Sequence, residues 1–264
     1  MRLQKHASRK TGNKEYAKWV VVLPQEEIEK LGWKEGEELR AEAKEDSLSL
    51  RKEMTYEQFK TKIAHLFDSK EVGFTWQEIK DKLDFRQAVP NNKWVSKLEN
   101  DIGLKRLKIG AITYWYINKK GTTIYTIGYE GKSVEQFINL LKSNDIKQLI
   151  DVRELAFSRK NGFSKSLLKE MLNTNGIVYK HFSELGSPSA LRHKLWNDSN
   201  YSEFFKEYSE WLSKPEANEY LVDLEGLAQV RKTAIMCFEK DIEKCHRSII
   251  KKRLIKDGFK IVDI

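Results

Sequence analysis

The chain has 264 residues, room for two or three small domains, and its 40% hydrophobic content is ordinary for a globular protein. Lysine and arginine (48) outnumber aspartate and glutamate (39), and the formal charge of +9 suits a polyanionic partner, although lysine-rich surfaces are also common among soluble proteins. Only two cysteines occur, no apolar run approaches the length of a membrane span and the polar N-terminus is no signal peptide, so the composition speaks for a cytoplasmic protein with reduced thiols and no membrane partner.

Residues 1–16 are polar and basic (Arg2, Lys5, His6, Arg9, Lys10, Lys14), lack periodicity and read as a flexible arm. The segment 17–53 begins with Trp19-Val20-Val21-Val22-Leu23, a strand stopped by Pro24. A short helix around Glu26–Leu31 follows, then Gly32-Trp33, a Gly36 turn, and two short strands near 38–43 and 47–51. The series strand, proline, helix, Leu-Gly-Trp-Lys-Glu-Gly-Glu-Glu-Leu, strand, strand resembles the AbrB/SpoVT swapped-hairpin module. That resemblance implies a homodimer made by interleaved strands, because so short a module cannot bury an adequate core alone. It also implies a dimer that often binds DNA; the segment's near balance of charge leaves dimerisation and DNA contact both open.

Residues 54–118 predict three helices and a hairpin. The first helix carries Tyr56, Phe59, Ile63, Leu66 and Phe67; Thr75 and Glu78 form a capping box for the second; the third follows Val89-Pro90 with Trp94, Val95 and Leu98 at helical spacing. Runs 104–109 and 112–117 flank Gly110-Ala111 as a hairpin. Three helices and a hairpin make a winged helix, and Pro-Asn-Asn-Lys-Trp-Val resembles a winged-helix segment common in prokaryotic proteins. Asn91, Asn92, Lys93, Ser96 and Lys97 on the third helix, with Lys105, Arg106 and Lys108 on the wing, suit base edges and phosphates. Glu99 and Asp101 on the same helix keep a protein-binding role open.

Lys119-Lys120-Gly121 reads as a linker into an α/β domain over 122–264. Short apolar runs at 124–127, 149–150, 177–179, 234–238 and 259–262 alternate with amphipathic helices, the pattern of a mostly parallel sheet. Between the third and fourth runs lies a helical insertion rich in aromatics (Trp196, Tyr201, Phe204, Phe205, Tyr208, Trp211), most of them core at that spacing. After the fourth run Asp241 is expected to cap a helix, which sets Cys245, His246 and Arg247 at its N-terminus. The fold class is therefore α/β, a parallel C-terminal domain preceded by a small swapped-hairpin β module and a winged helix.

Cys-Phe-Glu (237–239) followed by Cys-His-Arg (245–247), with Thr-Ile-Gly-Tyr-Glu (126–130) and Asp-Val-Arg (151–153) upstream, resembles the DUF488 family over roughly residues 122–264. Many members have Thr-Ile-Gly-His-Ser in place of Thr-Ile-Gly-Tyr-Glu. The resemblance implies an α/β domain often found near DNA repair and defence functions, with some members proposed to excise damaged bases.

In a parallel sheet the ends of these strands share one rim, where ligands of α/β proteins bind. There Asp151, Glu239, Lys165 and His246 are the candidate catalytic residues, and Tyr129, Arg153, Ser158, Arg159, Glu184, Cys245 and Arg247 the candidate ligands of substrate or phosphate. A carboxylate there would stabilise the oxocarbenium-like transition state of N-glycosidic cleavage, and Lys165, at a loop-to-helix junction, could form a Schiff base with the sugar. A plainer reading has Asp151 and Arg153 simply pairing to hold loop ends together. Cys237, Cys245 and His246 fit none of the usual structural zinc spacings and lack a fourth ligand, so no metal or cofactor is expected. The whole reads as a dimeric DNA-binding enzyme that removes a damaged or modified base. A ligand-sensing transcriptional regulator and a hydrolase of nucleotides or small molecules are the alternatives.

Overall fold

A computed structural model describes residues 3–11, 14–68, 73–85 and 87–264. The chain divides into two compact units, Met1–Phe59 and Lys60–Ile264. Among the described residues no helix is long and apolar enough to cross a membrane.

In the N-terminal unit β1 (Leu3–Thr11) and β2 (Lys14–Val21) pair antiparallel, Leu3 opposite Val21 and Thr11 opposite Lys14. The flexible arm expected over 1–16 is therefore largely strand. Polar side chains deprive a segment of a core but not of backbone partners, and the strand-forming Trp19-Val20-Val21 run offers those partners to Leu3-Gln4-Lys5. Helix α1 (Gln25–Leu31) follows Pro24 and ends at Gly32, whose φ of +62° gives the left-handed cap that a glycine adopts freely. Strands β3 (Leu39–Lys44) and β4 (Ser47–Lys52) form a second hairpin, separate from the first. None of the described side chains from Trp19 to Gln58 is buried. Trp19, Val22, Leu31 and Leu48 are each at least 57% exposed.

The unit boundary falls within α2 (Tyr56–Asp68). Next come β5 (Phe74–Thr75), α3 (Trp76–Leu83), α4 (Asn92–Asp101), β6 (Leu104–Ile109) and β7 (Ile112–Ile117), with the strands in the order β5-β7-β6. The Thr75–Glu78 capping box forms as its spacing predicts. Ile63, Phe67, Ile79, Val95, Leu98 and Trp115 are buried, and Trp76 stacks on Trp115 at 5.4 Å.

The C-terminal sheet is wholly parallel, in the order β10-β9-β11-β8-β12. Its strands and helices alternate as β8 (Thr123–Gly128), α5 (Val134–Ser143), β9 (Gln148–Asp151), α6 (Lys165–Thr174), β10 (Val178–His181), α7 (Ser189–Asp198), α8 (Tyr201–Leu212), α9 (Pro215–Val230), β11 (Thr233–Cys237), α10 (Arg247–Lys256) and β12 (Lys260–Asp263). All five residues of central β11 are buried, as a strand covered on both faces requires. One core cluster includes Ile124, Ile150 and Ile235 with Leu221 and Leu224; the other includes Ile127, Leu149, Ala234 and Met236 with Phe137 and Leu168. Odd and even strand positions thus serve opposite faces.

Lys119-Lys120-Gly121 is not a free linker. Gln229 of α9 accepts from the Lys119 amide and the Thr122 hydroxyl and donates to the Lys119 carbonyl, while the Gly121 amide donates to the Gly258 carbonyl. Leu107 and Ile109 pack against the first core cluster. The hairpin β6–β7 and the parallel domain consequently belong to one compact unit. A charged, glycine-ended tripeptide has the composition of a tether, but its backbone groups find partners in α9 and in the turn before β12.

Candidate active site at the carboxyl rim of the sheet

Strand register aligns the chemistry. Met236 of β11 stands beside Asp151 of β9, Cys237 beside Gly128 of β8, and His181 of β10 beside Asp151. Gly128 is required there: a β-carbon would lie 1.9 Å from the Glu239 carbonyl oxygen, so only glycine lets the turn after β11 cross the end of β8.

Asp151 is wholly buried. Arg153 closes on it from Nε to Oδ1 at 2.8 Å and from Nη2 to Oδ2 at 2.6 Å, its amide also donates to Oδ1, and the Tyr179 hydroxyl donates to Oδ2 at 2.6 Å. Arg153 further donates to the Tyr129 hydroxyl and the Phe163 carbonyl. Burial works against the Arg153 charge, yet the bonds and charge of Asp151 hold its pKa above the ordinary value; burial and the Asp151 carboxylate likewise push the Tyr179 phenol up. Tyr129 stacks on Phe163 at 4.2 Å and donates to Ser158 Oγ, which anchors the loop 152–164. This set is a buried brace of the kind the plainer reading describes. Tyr179, the second partner of Asp151, gives no sequence signal beyond its place in a strand one neighbour away.

A second cluster surrounds the end of β11. Asp241 caps a short 3-10 turn (Ile242–Lys244) instead of the long helix expected there, and α10 begins only at Arg247. The interruption folds Cys245 and His246 back beneath the strand end. Glu239 Oε2 lies 3.0 Å from the sulfurs of both Cys237 and Cys245, and His246 Nδ1 lies 3.8 Å from each. Arg247, 1% exposed, donates to Cys245 Sγ, to Thr126 Oγ1 and to the Glu239 carbonyl. Burial and the charge of Cys245 push the Glu239 carboxyl up. Burial opposes ionisation of Cys245, but Cys237, His246 and Arg247 together hold that thiol well below the usual range. Cys237, Cys245, His246, Arg247 and Glu239 are brought together; Glu184 is not, being engaged by Ser183 and by Tyr220 of α9.

The solvent side of the rim is cationic and partly apolar. Leu155 and Phe157 are 64% and 73% exposed on the loop after β9, next to exposed Arg159. Lys132 and Lys160 hold the Gly128 and Tyr129 carbonyls; burial, then the charges of Lys240, Arg247 and Lys160, lower the Lys132 pKa. Lys165 opens α6, and its Nζ is 3.2 Å from His181 Nδ1, while His181 Nε2 is 2.8 Å from the Arg153 carbonyl. A carbonyl only accepts, so Nε2 carries the proton and Nδ1 accepts from the amine. His181 is the residue that sequence reasoning left out of the site. Its signal was the strand-end position it shares with Asp151.

Far along the same unit, Asn92, Lys93 and Lys97 are exposed on α4, and Lys105 and Lys108 on β6. Asn91 caps α4, its side-chain oxygen accepting from the Lys93 and Trp94 amides. Arg106 pairs with Glu99 at 2.8 Å.

Residues 133–254 match the family model described as Domain of unknown function DUF488. No curated protein and no solved structure matches the chain. The DUF488 match covers 122 of the 264 residues, from the cap of α5 to the last turn of α10, and takes in Asp151, Arg153 and Tyr179 as well as Cys237, Glu239, Cys245, His246 and Arg247.

Proposed function

We propose that this protein removes a modified base from DNA, with Lys165 as the nucleophile. The observation that carries the reading is the exposed Lys165–His181 pair at the carboxyl rim, an amine held 3.2 Å from an imidazole nitrogen fixed in its accepting form. Asp151, with both oxygens engaged inside the brace, has no lone pair directed at a substrate, and Glu239 is turned onto two sulfurs. Lys165 is the candidate that remains open to a large substrate.

In the proposed reaction the neutral amine attacks the sugar C1′, forming N–C1′ as the C1′–base bond breaks. The electron pair leaves with the base, which takes a proton from solvent. His181 Nδ1 accepts the proton lost by the amine, becoming imidazolium while Nε2 stays on the Arg153 carbonyl. C1′–O4′ then breaks as the nitrogen lone pair forms the N=C1′ iminium, O4′ taking the proton back from the His181 imidazolium. Loss of a C2′ proton to the freed His181 Nδ1 with departure of the 3′-phosphate would cut the strand. Exposed Phe157 and Leu155, flanked by Arg159 and Lys160, have the apolar and cationic mixture that wedges into and grips nucleic acid. The segment 60–118 is read as a winged helix that supplies duplex affinity through Asn92, Lys93, Lys97, Lys105 and Lys108. The N-terminal unit is read as an AbrB-like dimerisation module.

The test is a panel of oligonucleotides with different lesions, scored separately for abasic sites and strand breaks and repeated with borohydride. The hydride should reduce the iminium and trap a protein–DNA adduct that disappears in Lys165→Ala. If no lesion is processed while a small molecule changes DNA affinity, the ligand-sensing reading replaces this one.

A further inference from the structure

Seven residues separate Cys237 from Cys245, yet the chain returns to the same point in space. The two sulfurs and one imidazole nitrogen lie within 4.8 Å of one another, all on buried side chains. With Glu239 Oε2 at 3.0 Å from both sulfurs and His246 Nδ1 at 3.8 Å from both, four donor atoms converge. A tetrahedral zinc ion with the usual bond lengths spaces its ligand atoms about 3.3–3.8 Å apart. The sulfur-to-imidazole distances of 3.8 Å already match, and Glu239 would complete the tetrahedron by turning its carboxylate away from the sulfurs and toward His246.

Surrounding groups orient the donors. His246 Nε2 faces the Val152 carbonyl at 2.8 Å and so carries a proton, which turns Nδ1 toward the sulfurs as the atom that would bind a metal. The Arg247 guanidinium donates from Nε to Cys245 Sγ at 3.3 Å and is itself held by Thr126. Two thiolates, one carboxylate, a neutral imidazole and a dication sum to one negative charge, and buried Arg247 supplies the matching positive one. Without a cation the Glu239 carboxylate accepts from the two thiols; with one, the same three side chains turn their donor atoms on the ion.

We propose that Cys237, Cys245, His246 and Glu239 form a closed four-ligand site for zinc. Thiolate and imidazole donors select zinc over magnesium or calcium. Four protein ligands leave no open position for substrate, so the ion would clamp the turn 238–246 onto the ends of β8 and β11. The linear spacing matches no common zinc motif because the fourth ligand is a glutamate inside the turn and not a second histidine.

Untagged full-length protein, purified without chelator, should carry close to one zinc per chain by elemental analysis. The stripped and reduced protein should take up one equivalent of cobalt(II), with thiolate-to-cobalt charge-transfer absorption and the intense visible bands of a tetrahedral site. Cys245→Ser should lose about half of the charge-transfer intensity, one of the two thiolates being gone. Glu239→Gln should keep that intensity and weaken cobalt binding by about tenfold or more, since even outer-shell partners are worth that much. The wild-type titration stands even where a variant fails to fold. The site is refuted by wild-type protein that neither carries zinc nor develops the charge-transfer band, by a Cys237–Cys245 disulfide in native protein, or by a cobalt spectrum unchanged in Cys245→Ser.

Discussion

Arg153 and Asp151 face each other two residues apart at the end of a strand, joined fork to fork with both side chains at most 6% exposed. A pair at that spacing can be read in sequence either as a catalytic acid with its anion-binding neighbour or as a brace. Burial and the fourth bond, from Tyr179, favour the brace. The carboxylate then fixes the loop 152–164 through Arg153, Tyr129 and Ser158, and so sets the base of the surface on which Lys165 stands.

The Asp151→Asn change should accordingly act on stability. It leaves the Arg153 charge buried without its partner, and breaking a buried pair in that way costs about 3–5 kcal/mol. Urea unfolding should show the loss at neutral pH, with any fall in base removal following the fraction unfolded. A variant as stable as the wild type but unable to process DNA would return the catalytic role to Asp151.

The parallel sheet was legible because each of its strands is a short apolar run between amphipathic helices, and the observed strands fall on those runs. The hairpin of β1 and β2 was not: its first strand is nearly all polar and carries no apolar alternation to mark a strand. At the site, the members were legible but their partnerships were not. Asp241 carries the signature of a cap, and only the fold shows that it caps a 3-10 turn, which rotates Cys245 and His246 inward. The roles of Tyr179 and His181 depend on β10 lying next to β9, a neighbour relation that no residue in either strand encodes.

DNA affinity should depend on the exposed lysines of α4. Replacing Lys93 and Lys97 together with alanine should weaken binding to all sequences alike and flatten the slope of log affinity against log salt by about 2, close to 0.9 for each phosphate no longer neutralised. Arg106→Ala should do less, because its guanidinium is already paired with Glu99. An unchanged salt slope in the double variant would remove α4 from the DNA interface.

The N-terminal unit should hold two chains together. Trp19, Val22, Leu31 and Leu48 are uncovered in the single chain, and isolated two-stranded hairpins are marginal in water. Full-length protein should sediment as a dimer at micromolar concentration and a form lacking residues 1–59 as a monomer. A full-length monomer under those conditions would reject the swapped-hairpin reading.

Glu225 of α9 offers a pH signature far from the rim. Burial, then the charge and hydrogen bond of Asp257, push its carboxyl up to about 7, against the opposing pull of Arg253 and Lys105. Between its ordinary range near pH 4.5 and about 7, the folded chain keeps a proton that the unfolded chain releases. Stability contributed by that proton is therefore full at low pH and is lost as pH rises through about 7. The group is only half buried, and after allowance for solvent screening the swing is about 1 kcal/mol. Glu225→Gln keeps a hydrogen-bond donor toward Asp257 and cannot ionise. Denaturant unfolding at pH 5, 6, 7 and 8 should show the variant gaining on the wild type from pH 5 to 7 and levelling off toward pH 8. A difference that stays flat across the series would mean that Glu225 and Asp257 share no proton.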